Sequence, residues 1–330
     1  MAAPGRRRVP PDDRAADRVH QPAALFRPGA AGRFGQVGPG LSRGSPTIRV
    51  ASWNIRAAIG PGDPFPPAWW RHVDADRLGR IAAVITALDA DAVALQEVAV
   101  LTPGGALLDE PAELARLTGM HVRYAAVHAF ALVEPENGRA IGAATWGNAW
   151  LTRQPLREGF ALGLPVGADE AQVEPAGSGR PLAGVTFATA PYGTREPRCA
   201  VGGRLGGVSG QGLAPLLVNA HLTYAGAAQR QAQAETLAGI ADDLGSPVIL
   251  AGDLNAPIEA PELGRLAETF DDAFAGVGVP PGDPRRASCG PLRIDHLLTR
   301  GLRALECVVM RDAGDLSDHL PIVATFAAAS

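Results

Sequence analysis

Acids, amides and histidines gather at one kind of place in this sequence, the carboxyl ends of apolar runs that read as strands. Asn54 follows VASW, Gln96 and Glu97 follow AVAL, and Asn219 and His221 sit in LLVNAHL. Asp253 and Asn255 lie in VILAGDLNAP, Asp295 in RIDHLL, and Asp318 and His319 just before PIVATF. In a layered α/β protein the rigid strands fix side chains at such ends while the loops beyond leave room for a ligand. These strand ends therefore read as one site. Other chemistry is excluded outright. All 30 basic residues are arginine, so there is neither a lysine for Schiff-base chemistry nor a P-loop lysine. Cys199, Cys289 and Cys307 are odd in number and lack C-x-x-C spacing, which indicates neither a disulfide framework nor a structural zinc site.

The elements that must position this set alternate along the chain. Residues 47–55 alternate in the β manner, 76–88 carry apolar residues at helical spacing, and 92–95 form a short apolar strand ending at Gln96 and Glu97. Further strands are predicted over 121–132, 140–152, 160–164, 198–205, 216–222, 248–251, 294–298, 305–310 and 321–326. Helices are predicted over 111–117, 227–244 and 261–269. Gly- and Pro-rich stretches at 165–181 and 206–212 read as surface loops. No repeat of 20–50 residues interrupts the pattern, and one α/β domain with sheets packed between helices fits it.

Of the 330 residues 46% are hydrophobic and 19% charged, enough to bury a core and incompatible with a wholly disordered chain. Residues 1–47 differ. They carry eight arginines against three aspartates with little periodicity, and read as a disordered Arg/Pro/Gly/Ala-rich tail, a solvated extension in preference to an arm for an anionic partner. The tail's +5 leaves −9 for residues 48–330, since the chain totals −4. No apolar run is long enough to span a membrane and no apolar stretch follows the basic N-terminus, so the expected location is cytoplasmic.

The blocks S-W-N-I, L-Q-E-V, G-N-A-W-L-T-R, N-A-H-L, G-D-L-N-A-P, I-D-H-L and S-D-H-L-P, in this order over residues 48–326, resemble the signature of the endonuclease/exonuclease/phosphatase superfamily, with its deoxyribonuclease-I-like fold. The resemblance implies a four-layered α/β/β/α sandwich and divalent-metal-dependent hydrolysis of phosphoester bonds. Such hydrolysis builds charge on phosphate oxygens and needs a hard cation, a base for water and donor groups on the phosphate.

On this resemblance Glu97 is the expected ligand of Mg²⁺, or alternatively Mn²⁺, because such ions take oxygen ligands and commonly use one or two protein carboxylates. Asp318 is expected to share that cation or a second one, and Asn54 to hold a metal water or the phosphate. Asp253 would orient the attacking water and Asn255 donate to a phosphate oxygen. His319 is the expected base, with Asp295 on its other ring nitrogen. His221 would contact the scissile phosphate or protonate the leaving oxygen. Its N-A-H-L block resembles the deoxyribonuclease, sphingomyelinase, phosphatase and deadenylase branches, not the abasic-DNA branch with its tyrosine. Asn148 is a further phosphate-binding candidate, while Arg198 fits either the cleft or a surface ion pair. His72, His121, His128 and His296 read as structural, and Trp69 and Trp70 as loop anchors before base- or lipid-contacting residues.

Three substrate readings follow. The first is a small-molecule, lipid-headgroup or nucleotide-derived phosphoester, cut by a phosphodiesterase or phosphatase. The second is DNA or RNA, and the third a non-catalytic binding module, against which the full set of acids, amides and histidines counts. Duplex binding usually draws on several basic contacts, which a −9 domain without lysine must assemble against an unfavourable field. Nucleic acid is the less favoured substrate.

Overall fold

The computed structural model describes residues 46–62, 68–166, 197–206, 213–224, 226–245 and 247–329. The chain divides into units Met1–Arg43 and Gly44–Ser330. The first unit lies outside the described residues, as do most of the two loops expected at 165–181 and 206–212.

Two sheets make up Gly44–Ser330. One has seven strands: β1 (Thr47–Asn54), β2 (Ala92–Leu101), β3 (Leu108–Asp109), β4 (His121–Val133), β5 (Ala140–Thr152), β12 (Leu302–Val309) and β13 (Ile322–Ala328). They lie in the order β12-β13-β1-β2-β5-β4, with β3 on β2. The other sheet has six: β6 (Leu156–Leu164), β7 (Arg198–Leu205), β8 (Leu216–His221), β9 (Val248–Asp253), β10 (Asp271–Asp272) and β11 (Asp295–Arg300). Their order is β10-β11-β9-β8-β7-β6. Each sheet contains one parallel pair, β1 with β2 and β8 with β9. A parallel pair needs a crossover, and here each crossover carries a helix, α1 (Ala75–Ala87) in one and α3 (Ala227–Leu244) in the other.

Strand periodicity builds the layers. Ile48 and Val50 of β1, Ala92 and Ala94 of β2, and Trp150 of β5 share a core with Val201, Leu217, Ile249, Ala251 and Leu297 of the second sheet. The alternate residues Ala51, Trp53, Val93 and Leu95 meet Leu78, Ile81, Ala82 and Ile85 of α1 and Leu114 of α2 (Glu110–Thr118). On the far side Leu216, Val218, Val248 and Leu250 meet Ala234, Leu237, Ala238 and Ala241 of α3, with Leu266 of α4 (Gly264–Thr269). Helix, sheet, sheet and helix thus stack as the expected α/β/β/α sandwich, the central strands β1, β2, β8 and β9 burying both faces with period 2 and each helix one stripe.

Helix α1 starts where Asp74 accepts from the Asp76 amide, and α2 where Asp109 accepts from Ala112 and ends at Gly119 in the left-handed region. These are the caps that satisfy terminal backbone groups. Expected helix 227–244 coincides with α3. The structure extends β2 six residues beyond 95, starts β6 and β12 earlier, and adds β3, β10 and α5 (Ala273–Gly276). Those additions are too short to carry a periodic signal. No described helix is long and apolar enough to cross a membrane.

Backbones approach closely where β8 meets β9. Gly252, at φ +152°, pairs with Ala220, and a Cβ there would lie 1.8 Å from the Ala220 carbonyl oxygen. Gly252→Ala is therefore expected to cost about 3 kcal/mol or more of stability by overpacking and backbone strain. Urea unfolding checks this: a midpoint equal to wild type would contradict the close approach.

Candidate active site

The inner rows that fill the core end in polar residues at one edge of the sandwich. Ile48, Val50 and Ser52 lead to Asn54, Ala92 and Ala94 to Gln96, Leu217 and Asn219 to His221, and Ile249 and Ala251 to Asp253. Period 2 alone aims these side chains between the sheets. Asp295 faces Asp253 across the β9–β11 ladder.

Glu97 reaches the same mouth through an irregularity. Between Leu95 and Val98 the β2–β5 register shifts by one residue, so Gln96 and Glu97 together oppose Asn148. Val98 then rejoins the outer core of Val93 and Leu95. An extra residue of this kind re-aims side chains, and it lets two consecutive polar residues serve the cleft. Glu97 sits at φ +55°, a left-handed conformation that persists only where its surroundings hold it. Asn219 of the opposite sheet donates to the carbonyls of Leu95 (2.9 Å) and Ala149 (2.8 Å) and accepts from Gln96 Nε2 (2.8 Å). Asn148 places its amide nitrogen on the Cys199 carbonyl, 2.9 Å away, as another tie between the sheets.

Seven side chains interlock at the centre. His319 Nδ1 lies 2.9 Å from Asp295 Oδ2, the oxygen that also accepts from Ser288 Oγ at 2.5 Å. Asp253 Oδ2 lies 3.7 Å from His319 Nε2 and 3.4 Å from His221 Nε2, and accepts from Asn54 Nδ2 at 3.2 Å. Its Oδ1 accepts from the Asn255 amide at 3.0 Å. Asn255, expected to donate to phosphate, gives one Nδ2 hydrogen to the Leu222 carbonyl at 2.8 Å and approaches His221 Nε2 at 3.0 Å. Because a carbonyl only accepts, the amide orientation is fixed and His221 Nε2 is the acceptor. Asn255 here orients His221.

Charges follow from burial and neighbours. Burial pulls His319 down, but the carboxylates of Asp295 and Asp253 more than offset it and hold the imidazole well above its ordinary value. Burial, with help from Asp295, pushes Asp253 up to about 7. Burial, and then the positive charges of Arg198 and His319, take His221 well below its ordinary value. The cluster therefore holds one charged and one neutral histidine around a carboxyl group that titrates near neutrality.

On the other side of Asn54, its Nδ2 reaches Glu97 Oε1 at 3.0 Å. Burial raises the Glu97 carboxyl, with Asp318 adding to the rise, against the pull of Asn54, His319 and Arg198. Asp318 Oδ2 lies 3.4 Å from Arg56 Nε and its Oδ1 accepts from Ser317 Oγ at 3.2 Å. Arg56 also donates its backbone amide to Asn54 Oδ1 at 3.0 Å. It opens a run of three left-handed residues, Arg56, Ala57 and Ala58, each strained by about 1–2 kcal/mol for an L-residue and all buried.

One cationic group, Arg56, escaped sequence reasoning as a site member, while for Arg198 the sequence left cleft and surface ion pair open. Arg56 follows a recognisable strand end, yet nothing in N-I-R signals the turn that bends it back. Arg198 is buried, not a surface ion-pair residue, and its charge acts on Glu97, His221 and His128. Trp69 packs edge-on to Trp146, centroids 4.8 Å apart, beside Ala57 and Ile59, as the anchor of its loop. His296 hydrogen-bonds the Ala256 carbonyl.

Residues 51–319 match the model of the Endonuclease/Exonuclease/phosphatase family. The chain belongs to this family. Among solved structures it is similar to the endonuclease/exonuclease/phosphatase from Beutenbergia cavernae DSM 12333, at 25% identity and TM-score 0.60 over 86% of this chain and 72% of that one. The human Nocturnin catalytic domain with bound sulfate shares the fold at 18% identity and TM-score 0.58, covering 86% and 96% of the two chains. So does the Bacteroides thetaiotaomicron VPI-5482 mannosyl-6-phosphatase, at 17% and 0.54, covering 84% and 99%. No curated protein sequence matches the chain.

For a member of this family the donor set invites a hard divalent ion. Glu97 is a carboxylate raised chiefly by its own burial that accepts from the Asn54 amide, and such a group gains most from a metal. Asp253, Asp295 and His319 also bring ligand atoms within 4.8 Å of one another, though Asp295 is already committed to His319 and Ser288.

The histidine's charge depends on Asp295. Since its folded value lies above the ordinary 6.5, the protonated His319 contributes its full stabilisation below that pH and loses it as pH rises through the raised value. Asp295→Asn is expected to bring the His319 titration down to or below the ordinary histidine range, read by NMR of the ring resonances. An unmoved titration would show that Asp295 does not hold the charge.

Proposed function

We propose that this protein is a divalent-metal-dependent phosphoester hydrolase acting on a small-molecule, lipid-headgroup or nucleotide-derived substrate. The observation that carries the reading is the continuous chain His319–Asp253–Asn54–Glu97, which joins a charged imidazole, a carboxyl poised near 7 and a cation-seeking carboxylate in one mouth. Glu97 would hold Mg²⁺, with Asn54 and Asp318 beside it. Bound there, the ion supplies a Lewis acid for the phosphate oxygens.

The chain's own residues do the rest. Asp253 takes the proton of the attacking water, a task suited to a base whose pKa lies near working pH. His319, oriented by Asp295, places its charge and its Nε2 proton at the phosphate as negative charge builds. His221 stays neutral, its ring fixed by Asn255. Arg198 adds a buried positive charge on the phosphate side, and Arg56 holds Asn54 and Asp318 in place. The likeness in fold to a mannosyl-6-phosphatase and the −9 charge of the domain favour a small phosphoester over duplex DNA.

Chelation and Glu97→Gln are each expected to abolish turnover of bis-(p-nitrophenyl) phosphate; activity surviving both would refute the metal role. The kcat/KM profile should be bell-shaped, its acidic limb above the ordinary carboxylate range from Asp253 and its basic limb from His319. A flat response in wild type and His319→Ala alike would remove these roles. In a panel of sphingomyelin, phosphoinositides, RNA and plasmid DNA under Mg²⁺, the best small or lipid substrate should exceed plasmid by about tenfold at ~0.15 M salt, where surface charges are screened beyond about 8 Å. Plasmid nicking without turnover of the others would make this a nuclease.

A further inference from the structure

Glu110 is a fully buried acid thirteen residues on from Glu97 in the chain. It opens helix α2, and its Oε2 accepts from the backbone amide of Ala99 at 2.8 Å. Its Oε1 is buried without a hydrogen-bond partner. A lone acid in such a place needs a reason, because burial of a carboxyl costs free energy that one neutral hydrogen bond does not return.

The location of Ala99 supplies that reason. Strand β1 pairs with β2 only as far as Asn54–Gln96, and β3 takes up the same strand at Val100–Asp109. Between these two contacts lies the bulge with Glu97 at positive φ. Upstream it is fixed by the Ile55 amide on the Gln96 carbonyl at 3.1 Å and by Asn219. Downstream the buried Ala99 amide faces α2, and Glu110 accepts it. A left-handed non-glycine residue persists only if both sides are held.

We propose that Glu110 is a positioning residue that braces the bulged stretch of β2 and thereby sets the geometry in which Glu97 meets its cation. The proposal rests on the reading of Glu97 as a metal ligand. Burial pushes the Glu110 carboxyl up to about 8, so near neutral pH the brace works largely as an uncharged acid. What matters is the acceptor oxygen, not the charge. A glutamine supplies the same acceptor on the same length of chain, whereas alanine supplies none.

Two measurements on the full chain test this. Free Mn²⁺ is followed by electron paramagnetic resonance during titration of wild type, Glu110→Ala and Glu110→Gln, and hydrogen exchange is followed over residues 97–101 in metal-free protein. Glu110→Ala is expected to weaken Mn²⁺ binding about 10–100-fold, the usual effect of losing a group that orients a ligand, and Glu110→Gln to stay within about twofold of wild type. Exchange at Ala99 should quicken in the alanine variant and stay slow in the glutamine one. Should alanine fail to fold, Glu110→Met fills the volume without an equivalent oxygen and carries the same expectation. Wild-type behaviour of the alanine or methionine variant overturns the proposal, as does a glutamine variant that loses as much. If wild type itself binds no Mn²⁺, the metal reading of Glu97 fails; the exchange rates still decide the brace, supported by a fast alanine and slow glutamine variant and overturned by equal rates.

Discussion

Where β2 takes in one residue more than β5, the ladder between them is interrupted in the middle of a buried sheet, and the polar groups at the break need partners from elsewhere. Asn219 meets that need from the opposite sheet, with two donors for the Leu95 and Ala149 carbonyls and an acceptor for Gln96. A buried polar group left unpaired costs about 1–3 kcal/mol, so the two sheets cannot slide past one another without breaking several such contacts. The bulge thus aims Glu97 and locks the register of the sandwich together. The distance between Glu97 and the Asp253 cluster follows from that lock.

The electrostatics of the mouth follow from the same closeness. Asp253 and Asp295 come from adjacent antiparallel strands, and two carboxyl groups so near cannot both ionise freely in a buried place. His319 relieves them by holding a proton between them. Buried, and with Arg198 and that positive charge acting on it as well, His221 stays neutral. The division of labour between the two histidines is set by which of them lies between carboxylates, and Asn255 secures it by occupying the Nε2 of His221.

Much of this was legible in the chain. The inner rows of alternating apolar residues ending in Asn54, His221 and Asp253 are period-2 patterns, and the same patterns put those residues on one edge. Expected strand 92–95 stopped at the bulge because Gln96 and Glu97 break the alternation, although β2 runs on to Leu101. No glycine or proline marks that irregularity; a left-handed glutamate looks in sequence like any other. Glu110 and Arg56 were illegible as partners for a related reason. Each acts through a contact made by folding, between segments with no shared periodicity, and burial of a charged residue is the one property a local pattern predicts against.

The two sheets also divide the chemistry. The crossover β1–α1–β2 delivers Asn54 and Glu97 at the ends of a parallel pair, and β8–α3–β9 delivers His221 and Asp253 at the ends of another. Neither unit holds both Glu97 and Asp253. Only when the inner faces meet does Asn54 Nδ2 stand between Glu97 and Asp253, donating toward both at 3.0 and 3.2 Å. That amide senses the spacing of the sheets directly, for a shift of even 1 Å would break one hydrogen bond or the other. Packing in the core between the sheets, at Val50, Trp150 or Ile249, therefore sets the geometry of the candidate site even though none of those residues reaches the mouth.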